Sequence, residues 1–278
     1  MARRRARLDR ELVRRGLASS RGAAQELIDG GRVTVAGAPA TKAATQVAPD
    51  EEVALTSAPR AYASRGGHKL AGALAAFGVS AAGRHCLDAG ASTGGFTDVL
   101  LQAGAARVVA VDVGYGQIAW RLRADPRVVV LDRTNVRHLT RAQVPPPPPE
   151  LVTADLSFIS LTLVVDALAG VAAPAADHLL LVKPQFEAGA TRVGKGGVVR
   201  DPAIWAEAIT RVAEAGRSAG LGFAGAAVSP LPGPSGNVEF FAHLRAGAHA
   251  PVGPAVEAAV AAGLRLAQRG RSDDAPAG

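Results

Sequence analysis

Cysteine is nearly absent from this chain of 278 residues, in which Cys86 is the single example. One cysteine cannot form an internal disulfide bond, and a chain without disulfides is typical of a reducing compartment, so we expect a cytoplasmic protein. Cys86 lies in an apolar segment, where a small buried side chain is a more common role than a catalytic thiol. We therefore assign it no chemistry.

Long apolar runs are also missing. A membrane-spanning helix needs about 18 uninterrupted apolar residues, and Asp166 and Asp177 interrupt the best candidate. The basic N-terminal segment is not followed by the apolar stretch of a signal peptide. The six histidines are scattered, without the spacing of metal ligands. We expect a soluble protein with no membrane contact and no bound metal.

Aromatic residues make up only 4% of the chain, against 48% for all hydrophobic residues, so the core must be mainly aliphatic. Positive charge is unevenly distributed. Residues 1–50 hold ten basic and five acidic side chains, which is +5 of the net +7 and leaves +2 for the other 228 residues. This distribution favours a small polyanion-binding module attached to a larger, nearly neutral body.

The stretch from residue 84 to 101 predicts a buried strand ending at Asp88, a glycine-rich turn and a helix. A second apolar strand ends in Asp112, where a carboxylate can accept hydrogen bonds from both hydroxyls of a ribose. The turn is not the G-x-G-x-x-G of a dinucleotide fold. A nucleoside without phosphates fits better, and S-adenosylmethionine is the commonest such cofactor. The predicted cofactor-binding residues are Asp88, Gly90, Ser92, Thr93, Gly94, Gly95, Phe96, Asp112 and Asp132.

Alternating strands and helices indicate an α/β fold with a parallel, doubly wound sheet. The predicted strands lie near residues 84–88, 107–112, 127–131, 151–155 and 178–183. A helix over 203–219 and a strand over 222–228 follow, and a final strand over 237–245 is predicted to be antiparallel. Beyond these we expect a short closing helix that carries Val256 and Ala267, and a disordered tail from Arg271 to Gly278.

The first sixty residues predict two helices and a small sheet. The segments Arg7-Leu-Asp-Arg-Glu-Leu-Val, Leu17-Ala-Ser-Ser-Arg-Gly-Ala-Ala-Gln-Glu-Leu-Ile and Gly31-Arg-Val-Thr-Val-Ala-Gly resemble the S4 RNA-binding domain. That resemblance implies an N-terminal α+β module whose arginines contact RNA phosphates without reading bases. The predicted RNA-binding residues are Arg5, Arg7, Arg10, Arg14, Arg21, Arg32 and Arg65.

The larger part resembles the FtsJ-like ribose 2′-O-methyltransferases, whose Lys-Asp-Lys-Glu tetrad maps onto Lys69, Asp155, Lys183 and Glu239. The junction Ser64-Arg-Gly-Gly-His-Lys-Leu and the motifs Ala-Asp-Leu-Ser-Phe-Ile-Ser and Val-Lys-Pro-Gln-Phe-Glu are similar to the TlyA family, often labelled hemolysins. The resemblance implies a Rossmann-like methyltransferase sheet behind an S4-type domain, S-adenosylmethionine as cofactor, and 2′-O-methylation of cytidines in the RNA of 30S or 50S ribosomal subunits, or both.

We expect an S4-like domain over 1–59, a linker over 60–66, the methyltransferase domain over 67–248 and a C-terminal helix and tail over 249–278. A ribose hydroxyl must lose its proton while it is aligned with the methyl carbon. We assign Lys183 as the base, because partial burial and the nearby charge of Lys69 would favour its deprotonated form. Asp155 would then orient Lys183, and Glu239 would orient Lys69 or the ribose.

Other interpretations stay open at this point. Gly90-Ala-Ser-Thr-Gly94 also fits the nucleophile elbow of a hydrolase, with Asp155 or Asp201 and His243 as partners of Ser92. A non-catalytic RNA-binding or ribosome-assembly protein would explain the basic module, whereas a pore-forming toxin would need an export signal. The basic segment that holds Arg192, Lys195 and Arg200 reads equally well as a mobile lid over RNA and as an ordinary loop.

Overall fold

The computed structural model describes residues 5–56 and 61–273 and divides into two compact units, Met1–Ser64 and Arg65–Gly278. All four residues of the predicted tetrad belong to the second unit. The sequence-based domain and linker bounds remain predictions, and residues 57–60 lie outside the described ranges. Among the described residues, no helix is long and apolar enough to cross a membrane.

The first unit packs two helices on short strands. Its elements are β1 (Ala6–Arg7), α1 (Leu8–Arg14), α2 (Arg21–Asp29), β2 (Val33–Val35), β3 (Ala38–Pro39), β4 (Gln46–Val47) and β5 (Val53–Leu55). Gly16 follows α1 with a φ of 71°, which glycine adopts readily. The Ser20 hydroxyl caps α2 by accepting a hydrogen bond from the Ala23 amide at 3.1 Å. Leu8, Leu12 and Ile28 are buried between the helices, as the apolar spacing predicts.

The second unit alternates strands and helices, as predicted. Its elements are α3 (Gly66–Phe77), β6 (His85–Ala89), α4 (Gly95–Gln102), β7 (Arg107–Val111), α5 (Trp120–Arg123), β8 (Val128–Leu131), β9 (Leu151–Ala154), α6 (Val165–Val171), β10 (Asp177–Val182), α7 (Pro184–Glu187), α8 (Pro202–Ser218), β11 (Gly222–Val228), β12 (Phe240–Arg245) and α9 (Val252–Asp273). The central strands β9 and β10 are buried along their whole length, which is typical of a parallel sheet covered on both faces.

Seven strands form the main sheet in the order β11-β12-β10-β9-β6-β7-β8. Strand β12 runs antiparallel to both of its neighbours, β10 and β11, and confirms the predicted antiparallel final strand. Phe240 at the start of β12 pairs with Val182 at the end of β10. The residue before β12 therefore lies at the same edge as the carboxyl ends of the parallel strands, which we call the carboxyl edge.

The C-terminal helix is longer than predicted. Instead of a short helix that ends near Ala267, α9 spans Val252–Asp273. Gly263 inside it allows close packing, because a Cβ there would lie 3.0 Å from the Phe240 ring. The disordered tail predicted from Arg271 is wrong for residues 271–273, which continue the helix, and residues 274–278 lie outside the described part of the chain.

Candidate active site

Lys69 and Glu239 form a buried ion pair at the carboxyl edge. Lys69 is the fourth residue of α3, and Glu239 immediately precedes β12. The Lys69 Nζ donates a hydrogen bond to the Glu239 Oε2 at 2.6 Å, and the side chains are only 9% and 1% exposed. Gly233 stands so close that a Cβ there would lie 2.5 Å from the Glu239 Oε1. The carboxylate is thus enclosed on one side by backbone and on the other by an ammonium group.

Lys183 and Asp155 form the second pair. Lys183 follows β10 and Asp155 follows β9, so neighbouring parallel strands end in them. The Lys183 Nζ lies 2.6 Å from the Asp155 Oδ1 and donates a further hydrogen bond to the Ser157 Oγ at 3.0 Å. These two contacts use two of the three ammonium donors, and the third could bind an incoming hydroxyl group. Each lysine therefore has the carboxylate partner that the sequence-based roles require.

The turn after β6 is fixed by contacts within the chain. Gly90 has a φ of 84°, and a Cβ there would lie 2.5 Å from the Asp155 carbonyl oxygen. Gly94 has a φ of 92°, and a Cβ there would meet the Leu122 side chain at 2.4 Å. We expected these glycines to let a ligand approach. The structure shows a further reason for glycine at both positions, which is that the turn packs closely against β9 and α5.

Asp112 lies half-buried at the end of β7, where a ribose was expected. Its Oδ2 accepts a hydrogen bond from the Ser92 amide at 2.8 Å and its Oδ1 accepts one from the Gly114 amide at 2.7 Å. Each carboxylate oxygen retains a lone pair for a ribose hydroxyl. Ser92 and Thr93 are exposed in the same turn. A carboxylate acceptor beside an exposed turn fits a nucleoside.

Asp88 is fully buried, unlike a residue that touches a ligand directly. Its Oδ2 accepts a hydrogen bond from the Thr97 Oγ1 at 2.6 Å, and its Oδ1 is buried without a hydrogen-bond partner in the described part of the chain. Burial raises the pKa of this carboxyl to about 7, and the nearby negative charge of Asp155 acts in the same direction. Asp88 thus supports the turn from below.

Two other predicted cofactor residues also have partners within the protein. Asp132, after β8, lies 2.6 Å from an Arg123 guanidinium nitrogen. The Phe96 ring is buried and stacks on Phe241 with ring centroids 6.1 Å apart, so its side chain belongs to the packing of α4. Gly95 forms the first residue of α4.

The sequence interpretation missed Phe158, which lies in the loop after Asp155. Its ring is 92% exposed, its φ is 64°, and it contacts the Phe186 ring at a centroid distance of 5.2 Å. Phe186 in turn lies 5.9 Å from the Lys183 Nζ. An exposed aromatic ring in a left-handed backbone conformation beside the tetrad is a natural surface for stacking a base. Because aromatic residues are scarce in this chain, a phenylalanine shortly after the predicted Asp155 strand end was the sequence feature that could have pointed to Phe158.

Hydrogen bonds and an ion pair hold parts of the glycine-rich basic segment against its neighbours. Buried Asn237 accepts a hydrogen bond from the Val199 amide at 2.9 Å and donates one to the Gly197 carbonyl at 2.8 Å. The Trp205 indole donates to the Val199 carbonyl at 3.0 Å. At the other end, Arg192 pairs with Glu207. The ordinary-loop interpretation is therefore the one that the structure supports.

The hydrolase interpretation is wrong. Ser92 lies at the carboxyl edge, and its hydroxyl contacts the Gln117 side chain at 3.4 Å. His243 pairs in β12 with Leu179, near the opposite end of β10, and its Nε2 lies 2.8 Å from Asp177. The serine and the histidine thus occupy opposite ends of the sheet. Cys86 is also inert, because burial raises the pKa of its thiol to about 12.

The predicted RNA-binding arginines differ in their surroundings. Arg5, Arg10, Arg14, Arg21 and Arg65 are exposed, and Arg7 is half-buried. Arg32 is half-buried, and its Nε has no hydrogen-bond partner within the described ranges. Arg7 and Arg21 contact Asp9, whereas Arg14 contacts Glu11.

A seven-stranded sheet with one antiparallel strand and a nucleoside-compatible carboxyl edge defines a Rossmann-like methyltransferase. Residues 62–246 match the model of the FtsJ-like methyltransferase family, and residues 6–53 match the S4 domain. The chain belongs to the FtsJ-like methyltransferase family and, with its S4 domain, to the TlyA group.

Named relatives agree with this placement. The chain is 58% identical over 243 residues to the 16S/23S rRNA (cytidine-2′-O)-methyltransferase TlyA of Mycobacterium tuberculosis, covering 87% of this chain and 90% of the relative. It is 35% identical to Hemolysin A of Brachyspira hyodysenteriae, covering 86% and 99% of the two chains. A solved structure of a hemolysin-named protein from Streptococcus thermophilus superimposes with a TM-score of 0.77 at 35% identity, covering 98% and 100%.

Proposed function

We propose that this protein transfers a methyl group from S-adenosylmethionine to the 2′-hydroxyl of cytidine in 16S or 23S ribosomal RNA, or in both. The observation that carries the proposal is the pair of buried lysine–carboxylate contacts, Lys69–Glu239 and Lys183–Asp155, at the carboxyl edge of a methyltransferase sheet. Family membership and the named relatives support the reaction type and the RNA substrate.

The cofactor would lie along the turn after β6. Asp112 would accept hydrogen bonds from the ribose hydroxyls, Asp132 would lie beside the base, and the exposed Ser92 and Thr93 would line the turn. Buried Asp88 would hold the turn in shape through Thr97. Bound there, S-adenosylmethionine supplies an electrophilic methyl carbon on a positively charged sulfur.

Lys183 would accept the proton of the target 2′-hydroxyl. It can do so only as the neutral amine, so its ammonium group must first release a proton. Asp155 and Ser157 hold the Lys183 nitrogen in place through contacts of 2.6 and 3.0 Å. Glu239 holds Lys69, and Phe158 offers its exposed ring to the target base. The ribose oxygen then forms a bond to carbon, while the electrons of the broken carbon–sulfur bond remain on sulfur.

The first unit would bind ribosomal RNA phosphates in 30S or 50S subunits. Arg5, Arg7, Arg10, Arg14, Arg21 and Arg32, together with Arg65 of the second unit, are the proposed contacts. Residues 60–66 would serve as the linker between an RNA-binding domain over 1–59 and a catalytic domain over 67–248. The enzyme would act in the cytoplasm, where ribosomal subunits are found.

The test is transfer of labelled methyl from S-adenosylmethionine to purified subunits that lack the modification, followed by nuclease mapping of the labelled nucleotide. Lys183→Ala should lower the single-turnover rate by about 10²–10⁴-fold, the usual contribution of a general base. Cofactor binding should stay near the native level. Ser157→Ala is the matched control, because it removes a contact of Lys183 and leaves the amine, and it should cost far less.

Near-native transfer by Lys183→Ala with the cofactor bound would exclude Lys183 as the base. Binding of RNA and cofactor by the native protein without any transfer would instead support the non-catalytic ribosome-assembly alternative.

A further inference from the structure

Asp9, at the start of α1, holds two arginines from different parts of the first unit. The Arg7 Nε and Nη2 donate to its two carboxylate oxygens at 3.0 and 3.1 Å. Arg21, at the start of α2, donates to the same carboxylate through its Nη2 at 2.8 Å. The Arg10 backbone amide adds a contact of 3.0 Å. One carboxylate thus fixes two guanidinium groups that are 14 residues apart in sequence.

Glu11 repeats this arrangement on the same helix. The Arg14 Nη2 donates to its Oε2 at 2.8 Å, and the Arg15 Nε donates at 3.0 Å. The two arginines nevertheless differ. Arg15 also donates to the carbonyl oxygens of Glu51 and Ala48, so it ties α1 to the strands, whereas Arg14 contacts only Glu11 among the interactions described.

The two acids and their arginine partners differ in solvent exposure. The side chains of Asp9 and Glu11 are 4% and 7% exposed, but those of Arg7, Arg14 and Arg21 are 41%, 60% and 59% exposed. The carboxylates therefore face inward and the guanidinium groups face the solvent. Hydrogen bonds from Arg7 and Arg14 lower the pKa values of Asp9 and Glu11 to about 2, so both acids remain charged at neutral pH.

We propose that Asp9 and Glu11 are positioning residues that hold Arg7, Arg21 and Arg14 as preformed forks for the phosphates of ribosomal RNA. The inference rests on the proposed RNA-binding function of the first unit. A guanidinium has five N–H donors, so an arginine that binds a carboxylate through two of them keeps three for a phosphate. Because the carboxylate already restricts the side chain, less conformational entropy is lost when RNA binds.

The proposal and simple electrostatics predict changes of opposite sign in RNA affinity when a carboxylate of the first unit is neutralised. Removing a negative charge from a surface that binds a polyanion should strengthen binding. If the carboxylates position the arginines, the same removal should weaken binding. Asp29 provides the matched control, since it is an exposed acid on α2 that contacts Gln25 rather than an arginine.

The experiment measures equilibrium binding of the full chain to purified 30S and 50S subunits that lack the modification, over a range of salt concentrations. Asp9→Asn should weaken binding about tenfold, equivalent to about 1.4 kcal/mol. It should also reduce the salt dependence, by about one to two phosphate contacts. Asp29→Asn should bind as tightly as the native protein or slightly more tightly. Asp9→Asn binding that is as tight as that of Asp29→Asn would overturn the proposal.

Two further variants separate the possible failures. Arg7→Ala/Arg21→Ala should bind at least tenfold more weakly, and native-like binding by this double variant would reject the RNA-binding role of these arginines itself. Arg7→Lys keeps Asp9 and the positive charge but cannot form the two-pronged contact. It should bind about threefold more weakly, and unchanged binding would count against the positioning role even if Asp9→Asn failed to fold.

Discussion

The two units use the same chemical pairing, a cation with a carboxylate, in opposite ways. In the first unit the acid is buried and shared: Asp9 has two arginine partners whose heads reach the solvent. In the second unit Lys69 and Lys183 are each buried with a carboxylate of their own, Glu239 and Asp155. Sharing leaves net positive charge at a surface, which suits RNA phosphates. One-to-one pairing gives a compact, nearly neutral site whose ammonium groups have fixed positions.

The largest effect on stability should come from breaking a buried pair of the second unit. Lys69→Ala leaves the Glu239 carboxylate buried without its ammonium partner, which should lower the free energy of unfolding by about 3–5 kcal/mol. Both tryptophans, Trp120 and Trp205, belong to the second unit, so urea unfolding followed by tryptophan fluorescence reports on that unit.

Two control variants test whether burial of the pair causes this loss of stability. Lys69→Met/Glu239→Gln leaves no buried charge and should recover most of the lost stability. Arg14→Ala in the first unit removes an exposed guanidinium, and Glu11 keeps Arg15, so the slowest-exchanging amides of α1 should be unaffected. If Arg14→Ala destabilised the first unit as much as Lys69→Ala destabilises the second, the distinction between exposed arginines that share an acid and buried lysines with their own acid would be wrong.

The buried acids Asp9 and Glu11 of the first unit and Asp88 of the second should affect stability in opposite directions as the pH changes. Asp9 and Glu11, with pKa values lowered to about 2, contribute stability above about pH 4.5 that is lost as the pH falls toward 2. Asp88, with a pKa raised by burial to about 7 from an ordinary 3.8, contributes stability at low pH that is lost as the pH rises through 7.

Comparison of the native protein with Asp88→Asn isolates this contribution. Between pH 5 and pH 8 the difference in unfolding free energy should shift in favour of the variant by on the order of 2 kcal/mol. His178, whose pKa burial lowers to about 4, contributes equally to both proteins and cancels. The unfolding free energies would be measured by tryptophan fluorescence. If those of the native protein and of Asp88→Asn changed with pH in parallel, Asp88 would not have a raised pKa in the folded protein.

A smaller, local effect should follow from releasing the loop near the tetrad. Asn237→Ala leaves the Val199 amide and the Gly197 carbonyl without their partner, at a cost of about 1–3 kcal/mol. The Val199 amide should exchange roughly tenfold or more faster in hydrogen exchange. Asn135→Ala, which removes an exposed amide contact to Arg137, is the matched control. Unchanged exchange at Val199 would restore the mobile-lid interpretation.

Sequence patterns predicted features that depend on strand ends and local spacing. Asp112, Asp155 and Lys183 follow apolar strands directly, and parallel strands bring such residues to one edge. The pairing of Lys69 with Glu239 came from resemblance to a family, since 170 residues separate the two and no local rule connects them.

Features that depend on distant packing were missed or misread. The contact between Asp9 and Arg21 depends on the packing of two helices. The basic loop is held by Asn237, which lies 38 residues beyond Val199 in the sequence. The close approach of the Asp155 carbonyl to Gly90 also involves a distant part of the chain, so the sequence alone did not show it. Helix α9 extends beyond its predicted end near Ala267 and continues to Asp273.

The most direct test of these separate roles measures subunit binding and single-turnover methyl transfer on the same two variants, Lys183→Ala and Asp9→Asn. We expect the two variants to show opposite defects. Lys183→Ala should bind subunits like the native protein and lose its transfer rate, whereas Asp9→Asn should bind more weakly and transfer at the native rate once subunits are saturating. Loss of transfer by both variants at saturation, or of binding by both, would contradict the division of labour between exposed arginines and buried lysines.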